Sequence, residues 1–284
     1  MWHASRYGGR GLASARLGAL MLACAQAACA QADEAGGPLT DRFVISLGTY
    51  LLSTDTQVRL NGTAGTVGSD VDLKRDLGLH DSTRFRLDGS WRFARRHQLT
   101  VLYFDNTSSA THAIDRELTI RDTVYPVNAE LSSKIRFDIA ELIYQYSFLQ
   151  GPTYDVGASA GIHAIKFDLS VSGMGTVGGV GGKISQQSAE TTAPLPVFGL
   201  HGLWEFHPRW YLDARAQYFG LKYQQYDGHL WDLRASATRM VSRHFGVGLG
   251  WDSFRTDVGI SSNSFNGNLR WGYSGLQLFV TATY

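Results

Sequence analysis

The last ten residues, Gly275 to Tyr284, constrain the fold more than any other stretch. Leu276, Leu278, Val280, Ala282 and Tyr284 alternate with Gln277, Phe279, Thr281 and Thr283. Strict period two means an extended strand with one apolar face and one mixed face. The given sequence stops on the aromatic ring of Tyr284. A soluble sandwich and a membrane barrel both have use for such a strand, so the other strands and the way they are joined decide between them.

The second strand, Thr83 to Phe93, repeats the alternation: Phe85, Leu87, Gly89, Trp91 and Phe93 face one way, and Arg84, Arg86, Asp88, Ser90 and Arg92 the other. A tight turn over 94–97 returns the chain into a strand from Gln98 to about Asn106. Short turns recur at 148–153, 206–210 and 242–245, whereas the connections at 54–82, 108–133, 170–193, 223–229 and 259–267 are long, polar or rich in glycine. Short connections at one end and long ones at the other suit a membrane barrel, and a soluble sandwich has no reason to sort its loops this way. Aromatic residues sort with the short turns: Trp91, Phe93, Tyr146, Phe148, Tyr154, Trp204, Phe206, Trp210, Phe245 and Tyr284. Tyr218, Trp231 and Trp251 suggest a second girdle at the other boundary.

On these residues the chain resembles the small outer-membrane β-barrel proteins of Gram-negative bacteria, of the OmpA/OmpW type. In that family a terminal aromatic residue with apolar residues at alternate positions before it is the signal read by the barrel-assembly machinery. The resemblance implies that role for Leu276, Leu278, Val280, Ala282 and Tyr284, although Phe is commoner than Tyr at the end. The predicted fold is all-β: an antiparallel, up-and-down transmembrane barrel of about ten strands, with eight to twelve possible, short periplasmic turns and long extracellular loops. Besides those at 83–93 and 98–106, strands are predicted near 43–53, 135–148, 154–169, 195–206, 210–222, 230–241, 245–254 and 269–284. The alternation slips near 138–141 and 272–275, where bulges are expected.

Composition agrees. The 284 residues hold Gly 32, Tyr 13, Phe 14 and Trp 7 against Pro 6. After the N-terminus there is no run of roughly 18 apolar residues, the length of a spanning helix. Residues 1–32 read as a secretory signal, with Arg6, Arg10 and Arg16 before an apolar stretch, Leu17 to Ala25, and an Ala30-Gln31-Ala32 cleavage site. Residues 33–284 then form one barrel domain. Cys24 and Cys29 both fall in the signal, so the mature domain would lack thiols. Met21-Leu22-Ala23 before Cys24 fits a lipidation box poorly. Removal of three arginines and no acid takes Lys+Arg from 26 to 23 against 25 Asp+Glu, and nothing suggests a nucleic-acid partner. The implied partners are outer-membrane lipid and lipopolysaccharide.

If the apolar faces meet lipid, the opposite faces fill the lumen. Its predicted charges are Arg84, Arg86, Asp88, Arg92, Arg136, Asp155, His163, His201, Glu205, Asp213, Arg215, Asp232, Arg234 and Asp252. Acids and bases intermix, which suits a salt-bridged core that holds a narrow barrel shut. A narrow water-filled path is the alternative, and a lipid-modifying enzyme a distant third. His163 with Ser159, and His201 with Glu205, share a face but sit ~13 Å apart at strand spacing, too far for a catalytic pair. No catalytic, cofactor or metal residue is assigned. His97, His207 and His244 lie at turns. Asp70, Asp72 and Asp76 are expected to be solvated acids rather than calcium ligands. Met174–Gly182 lacks the Lys-Ser/Thr ending of a phosphate loop and is expected to be a flexible extracellular loop.

Overall fold

The computed structural model describes residues 36–284, apart from 63–64, 81–82, 178–179, 224–225 and 262–265. The expected signal segment, with Cys24 and Cys29, and the start of the leader lie outside the described residues.

Ten long antiparallel strands close into a barrel. They are β1 (Phe43–Leu60), β3 (Thr83–Ala94), β4 (His97–Ala113), β7 (Glu130–Gln150), β8 (Tyr154–Val177), β9 (Val180–His207), β10 (Trp210–Tyr223), β11 (Tyr226–Met240), β12 (Phe245–Ser261) and β13 (Asn266–Thr283). Three short strands, β2 (Asp70–Asp72), β5 (Leu118–Ile120) and β6 (Thr123–Tyr125), lie in the connections. Each long strand pairs with its neighbours in sequence. The first and last long strands then join, in register from Val44↔Thr283 to Leu60↔Gly267. That seam leaves the half of the wall nearer the short turns without a free edge, the only way a sheet can satisfy its backbone groups in hydrocarbon.

Two environments divide the barrel along its axis. In the half nearer the short turns the apolar side chains point outward. On β13 these are Leu276, Leu278 and Val280, on β1 Phe43, Ile45, Leu47 and Leu51, and on β12 Phe245, Val247, Leu249 and Trp251, all exposed. The aromatic residues of both predicted girdles are exposed here too, except that Trp210 is half-buried. The belt spans Leu276–Tyr284 on β13, close to the ~9–11 residues a tilted strand needs to cross a bilayer. Water could not cover so continuous an apolar surface without a large penalty, so this belt is the lipid-facing zone.

In the half nearer the long loops the arrangement inverts. Leu269, Trp271 and Tyr273 of β13 point inward and are buried, while Arg270 and Ser274 point out. On β7, Leu131, Ile135, Phe137 and Ile139 turn inward and Lys134 and Arg136 outward. Leu52, Val58 and Leu60 of β1, Ile165, Phe167, Leu169 and Val171 of β8, and Phe254 and Val258 of β12 join the same buried cluster. This half is built like a soluble β-barrel: apolar inside, polar outside, as water around it requires.

The inversion corrects several expectations. Bulges near 138–141 and 272–275 are absent: β7 pairs with β4 and β8, and β13 with β1 and β12, without a register shift there. What reads as a slip of phase is the apolar set changing faces on a regular strand. Register shifts occur instead at 92–94, 147–149 and 210–211, beside short turns, and at 175–177. Much of the sequence expected as long loop is strand. Residues 54–60 extend β1, 108–113 extend β4, and β8 and β9 continue to Val177 and from Val180 through most of the glycine-rich stretch expected to be a flexible loop. The tips at 178–179, 224–225 and 262–265 lie outside the described residues.

The two connections with structure of their own close the top. The β1–β3 connection forms β2, which pairs with the free edge of β1 above the start of β3 (Val58↔Val71). It then turns inward to bury Leu73, Leu77 and Leu79. The β4–β7 connection forms the β5–β6 hairpin, which pairs with β8 (Thr123↔Val177) and buries Ile114, Leu118, Ile120 and Tyr125. The Ser69 amide donates to the Thr119 carbonyl at 2.8 Å and that of Arg121 to Leu60 at 2.9 Å, tying the two connections into one cap.

Truncating Trp271 or Phe167 to Ala should therefore cost about 3–5 kcal/mol in urea unfolding from detergent or bilayers. Leu278→Arg, on the outward face of the belt, should cost ~2–4 kcal/mol in lipid vesicles. The same change at Ser274, on the same face just beyond the belt, should be nearly neutral.

Candidate functional site in the barrel lumen

The lumen of the lipid-facing half carries the polar residues that the outer wall cannot. Arg86 of β3 is at its centre. Its Nη1 donates to Asp252 Oδ2 and to the Tyr50 hydroxyl, both at 2.6 Å, and its Nε lies 3.1 Å from Asp88 Oδ2. Tyr50 in turn donates to Asp252 Oδ2 at 2.6 Å. Arg234 of β11 reaches across to Asp88 Oδ1 at 2.6 Å and to Gln277 Oε1 at 3.2 Å. Five strands on both sides of the seam, β1, β3, β11, β12 and β13, are cross-braced in this way. Their side chains meet because each occupies the inward parity of its strand at matching height. Buried charges cost several kcal/mol each unless paired and hydrogen-bonded, and here each guanidinium meets carboxylate oxygens.

Nearby, His163 of β8 is fully buried, with Nε2 2.9 Å from Gln217 Oε1 and 3.6 Å from Glu141 Oε2. Asp232 of β11 completes a group with Glu141 and His163 whose ligand-type atoms all lie within 4.8 Å of one another. Toward the short-turn end, Asp155 gathers Arg92 Nη1 at 3.0 Å, Gln150 Nε2 at 3.2 Å and His201 Nε2 at 3.8 Å. Asp213 and Arg215 pair at 3.3 Å along β10. A cavity of about 100 Å³ opens among these groups, with Asp88, Arg92, Asp155, His201, Arg215 and Arg234 on its wall. That is room for several waters, and its lining is polar enough to hold them.

The polar zone ends at a septum of rings. Phe137 stacks on Trp271 at 4.2 Å between centroids, Phe167 meets Phe137 at 5.1 Å, and Phe254 meets Trp271 at 5.0 Å and Tyr273 at 5.2 Å. Phe104 packs edge-on to Tyr273 at 5.5 Å. These residues come from β4, β7, β8, β12 and β13, so the septum crosses the lumen from wall to wall. The apolar half of the barrel and its cap lie beyond it.

Three of the predicted lumen charges, Arg136, Glu205 and Arg84, sit outside these groups. Arg136 is on the outer wall: its side chain is 50% exposed and pairs with Asp138 at 2.9 Å. Its apolar neighbours Ile135 and Phe137 face inward because this part of β7 lies beyond the lipid belt. Glu205 is at the short-turn rim, where it accepts the Arg209 amide at 2.9 Å. Arg84 stays on the inward face near the septum and donates to Asn106 Oδ1 at 2.9 Å and to the Thr107 carbonyl. Neither same-strand histidine pair is joined: His163 takes its partners from β7 and β10, and His201 approaches Asp155. Sequence reading passed over Tyr50, Glu141, Gln217 and Gln277. Glu141 stands where the alternation reads as slipping; the others are uncharged, and of them Gln217 shares its strand and parity with the predicted lumen residues Asp213 and Arg215.

The acids of the cap are engaged as well. Asp70 pairs with Arg59 at 2.9 Å, and Asp72 accepts the Lys74 and Arg75 amides at 3.0 and 2.9 Å. Asp76 is buried. Burial alone would raise its carboxyl pKa, but hydrogen bonds from Arg116, Arg75 and the Asp72 amide outweigh burial and hold it below the usual carboxylate value.

No family model and no curated protein sequence matches the chain. Solved structures do. The outer-membrane protease OmpT of Escherichia coli is 13% identical, with 89% of this chain covering 99% of that one at a TM-score of 0.57. The translocator domain of the autotransporter NalP from Neisseria meningitidis is 10% identical, with 96% of each chain covered and a TM-score of 0.40. Ail, the attachment invasion locus protein of Yersinia pestis, is 11% identical, covering 83% of this chain and 98% of that one at a TM-score of 0.32. The first of these likenesses establishes the fold, that of an outer-membrane β-barrel protein, and identity this low carries nothing more.

Two outcomes follow from the geometry. Arg86→Ala leaves Asp88 and Asp252 buried without their central partner and should cost about 3–5 kcal/mol in unfolding. A depressed carboxylate stabilises the folded state above its unfolded pKa of about 4 and loses that contribution as pH falls through its lower folded value. The cap should therefore keep its protease resistance at pH 5 and lose it in stronger acid, and Arg116→Gln should move that loss to higher pH.

Proposed function

We propose that this chain is a Gram-negative outer-membrane protein, exported with cleavage of residues 1–32, whose barrel is closed to solutes. Its role is structural or lies in interactions at its outer surface, and it is not an enzyme. The observation that carries the reading is the septum of Phe104, Phe137, Phe167, Phe254, Trp271 and Tyr273 across the lumen, backed by the apolar core and the cap. A hydrated ion passing that way would have to shed its water among rings that offer no replacement ligands. Outer-membrane lipid would surround the belt, with lipopolysaccharide on the outer leaflet. The assembly machinery would read Leu276, Leu278, Val280, Ala282 and Tyr284. The likeness to a protease does not argue for proteolysis, because at 13% identity it carries the fold alone.

The polar cavity at the short-turn end is what favours the alternative, a narrow channel, since it supplies half of a path. Planar-bilayer recording of the refolded barrel, residues 33–284, separates the two. Folded protein should give no steady conductance, and Trp271→Ala combined with Phe137→Ala should admit ions. Reproducible steps from the unaltered barrel, with selectivity that shifts in Arg86→Glu or Arg234→Glu, would replace this reading with the channel.

A further inference from the structure

The central network carries more acid than base. Arg86 and Arg234 are matched by Asp88 and Asp252. Glu141 and Asp232 are then left over in the same low-dielectric interior, grouped with His163 of β8. Asp232 Oδ1 and His163 Nδ1 are buried with no hydrogen-bond partner among the described residues. Two surplus carboxylates in a buried site call for compensation by two positive charges or by protons.

We propose that Glu141, His163 and Asp232 form a buried binding site for a first-row divalent cation, with Gln217 Oε1 as a further oxygen donor. Donors bound at ~2.0–2.2 Å in a tetrahedral shell lie about 3.4 Å apart. His163 Nε2 is 3.6 Å from Glu141 Oε2, the ligand-type atoms of Glu141, His163 and Asp232 lie within 4.8 Å of one another, and Gln217 Oε1 is hydrogen-bonded to Nε2 at 2.9 Å, so a modest contraction about an ion would complete the shell. One imidazole with carboxylate and amide oxygens is a donor set for Zn²⁺ or Mn²⁺ rather than for Mg²⁺, which prefers an all-oxygen octahedron. The cation would take the Nε2 lone pair of a neutral His163, with the ring proton on Nδ1, and its two positive charges would cancel those of Glu141 and Asp232. It would join β7, β8, β10 and β11, whereas the Arg86 network joins β1, β3, β11, β12 and β13. Together they would brace eight of the ten long strands. Asp88 and Arg234, on the wall of the cavity that opens at the short-turn end, mark the side from which the ion would enter.

The test uses the refolded barrel, stripped with chelator, loaded with Zn²⁺, Mn²⁺ or Mg²⁺ and dialysed, with metal content read by mass spectrometry and folding by heat-modifiable migration. The expected result is close to one Zn²⁺ per folded chain, weaker retention of Mn²⁺ and none of Mg²⁺, with a raised unfolding midpoint in Zn²⁺. Asp232→Asn, which keeps the shape and removes a buried charge, should fold and lose the Zn²⁺. Asp257→Asn on the outer wall should keep it. A folded, unaltered barrel that retains no Zn²⁺, or an Asp232→Asn barrel that retains as much, would overturn the proposal and leave protonation of the surplus acids as the compensation.

Discussion

The medium outside the wall changes partway along the longer strands, among them β1, β7, β8, β12 and β13, and the side chains answer by changing faces. A β-strand offers two faces and nothing else, so a residue is either against the surroundings or against the lumen. Where the surroundings are lipid, Leu276, Leu278 and Val280 go out, and the polar groups of Arg86, Asp88 and Gln277 have only the interior left. Where the surroundings are water, Trp271, Phe137 and Phe167 go in, and Arg270, Arg136 and Lys166 go out. The backbone runs through the change undisturbed, since β7 and β13 keep their register across it.

This single constraint produces the two-part lumen. The lower part is held by directed contacts: fixed distances, paired charges and a cavity wet enough for unmet polar atoms. The upper part is held by undirected burial, dense rings and aliphatic side chains under a cap whose own leucines complete the core. The septum is the boundary between them, and Tyr50 spans it, its ring stacked on Phe104 and its hydroxyl in the ion network. Closure of the lumen, as proposed, needs no dedicated plug domain. It follows from a barrel that extends beyond the bilayer and must fill itself with apolar groups once water surrounds it.

The architecture was legible in the sequence because alternation, turn asymmetry and aromatic girdles all report on the lipid zone. Arg86, Asp88, Arg234 and Asp252 could be assigned to the inside since Phe85, Leu87, Leu233 and Trp251 beside them are lipid-facing. The same logic failed for Arg136. Apolar Ile135 and Phe137 look like lipid contacts when read locally, and only their height above the belt reveals them as core. Glu141 was lost for the same reason, since a presumed slip at 138–141 erased the phase. A pattern that reverses on β7 and again at 272–275 on β13 could have been read as a membrane boundary. The heights of the ten strands, which align those reversals into one plane, come from pairing register and not from any one segment. The cap was hidden more deeply. Leu77, Leu118 and Tyr125 are scattered in polar sequence, and only β2 and the β5–β6 hairpin bring them together.

The most direct test of the inversion is a spin-label scan along the outward face of β13 in lipid vesicles, reading collision with lipid-soluble oxygen and with a water-soluble nickel complex. Labels at Leu276, Leu278 and Val280 should meet oxygen and be shielded from nickel, and labels at Arg270 and Ser274 should show the reverse, with the crossover between Ser274 and Leu276. Oxygen dominance that continues through Ser274 to Arg270 would place the apolar half of the barrel within the bilayer and contradict the account.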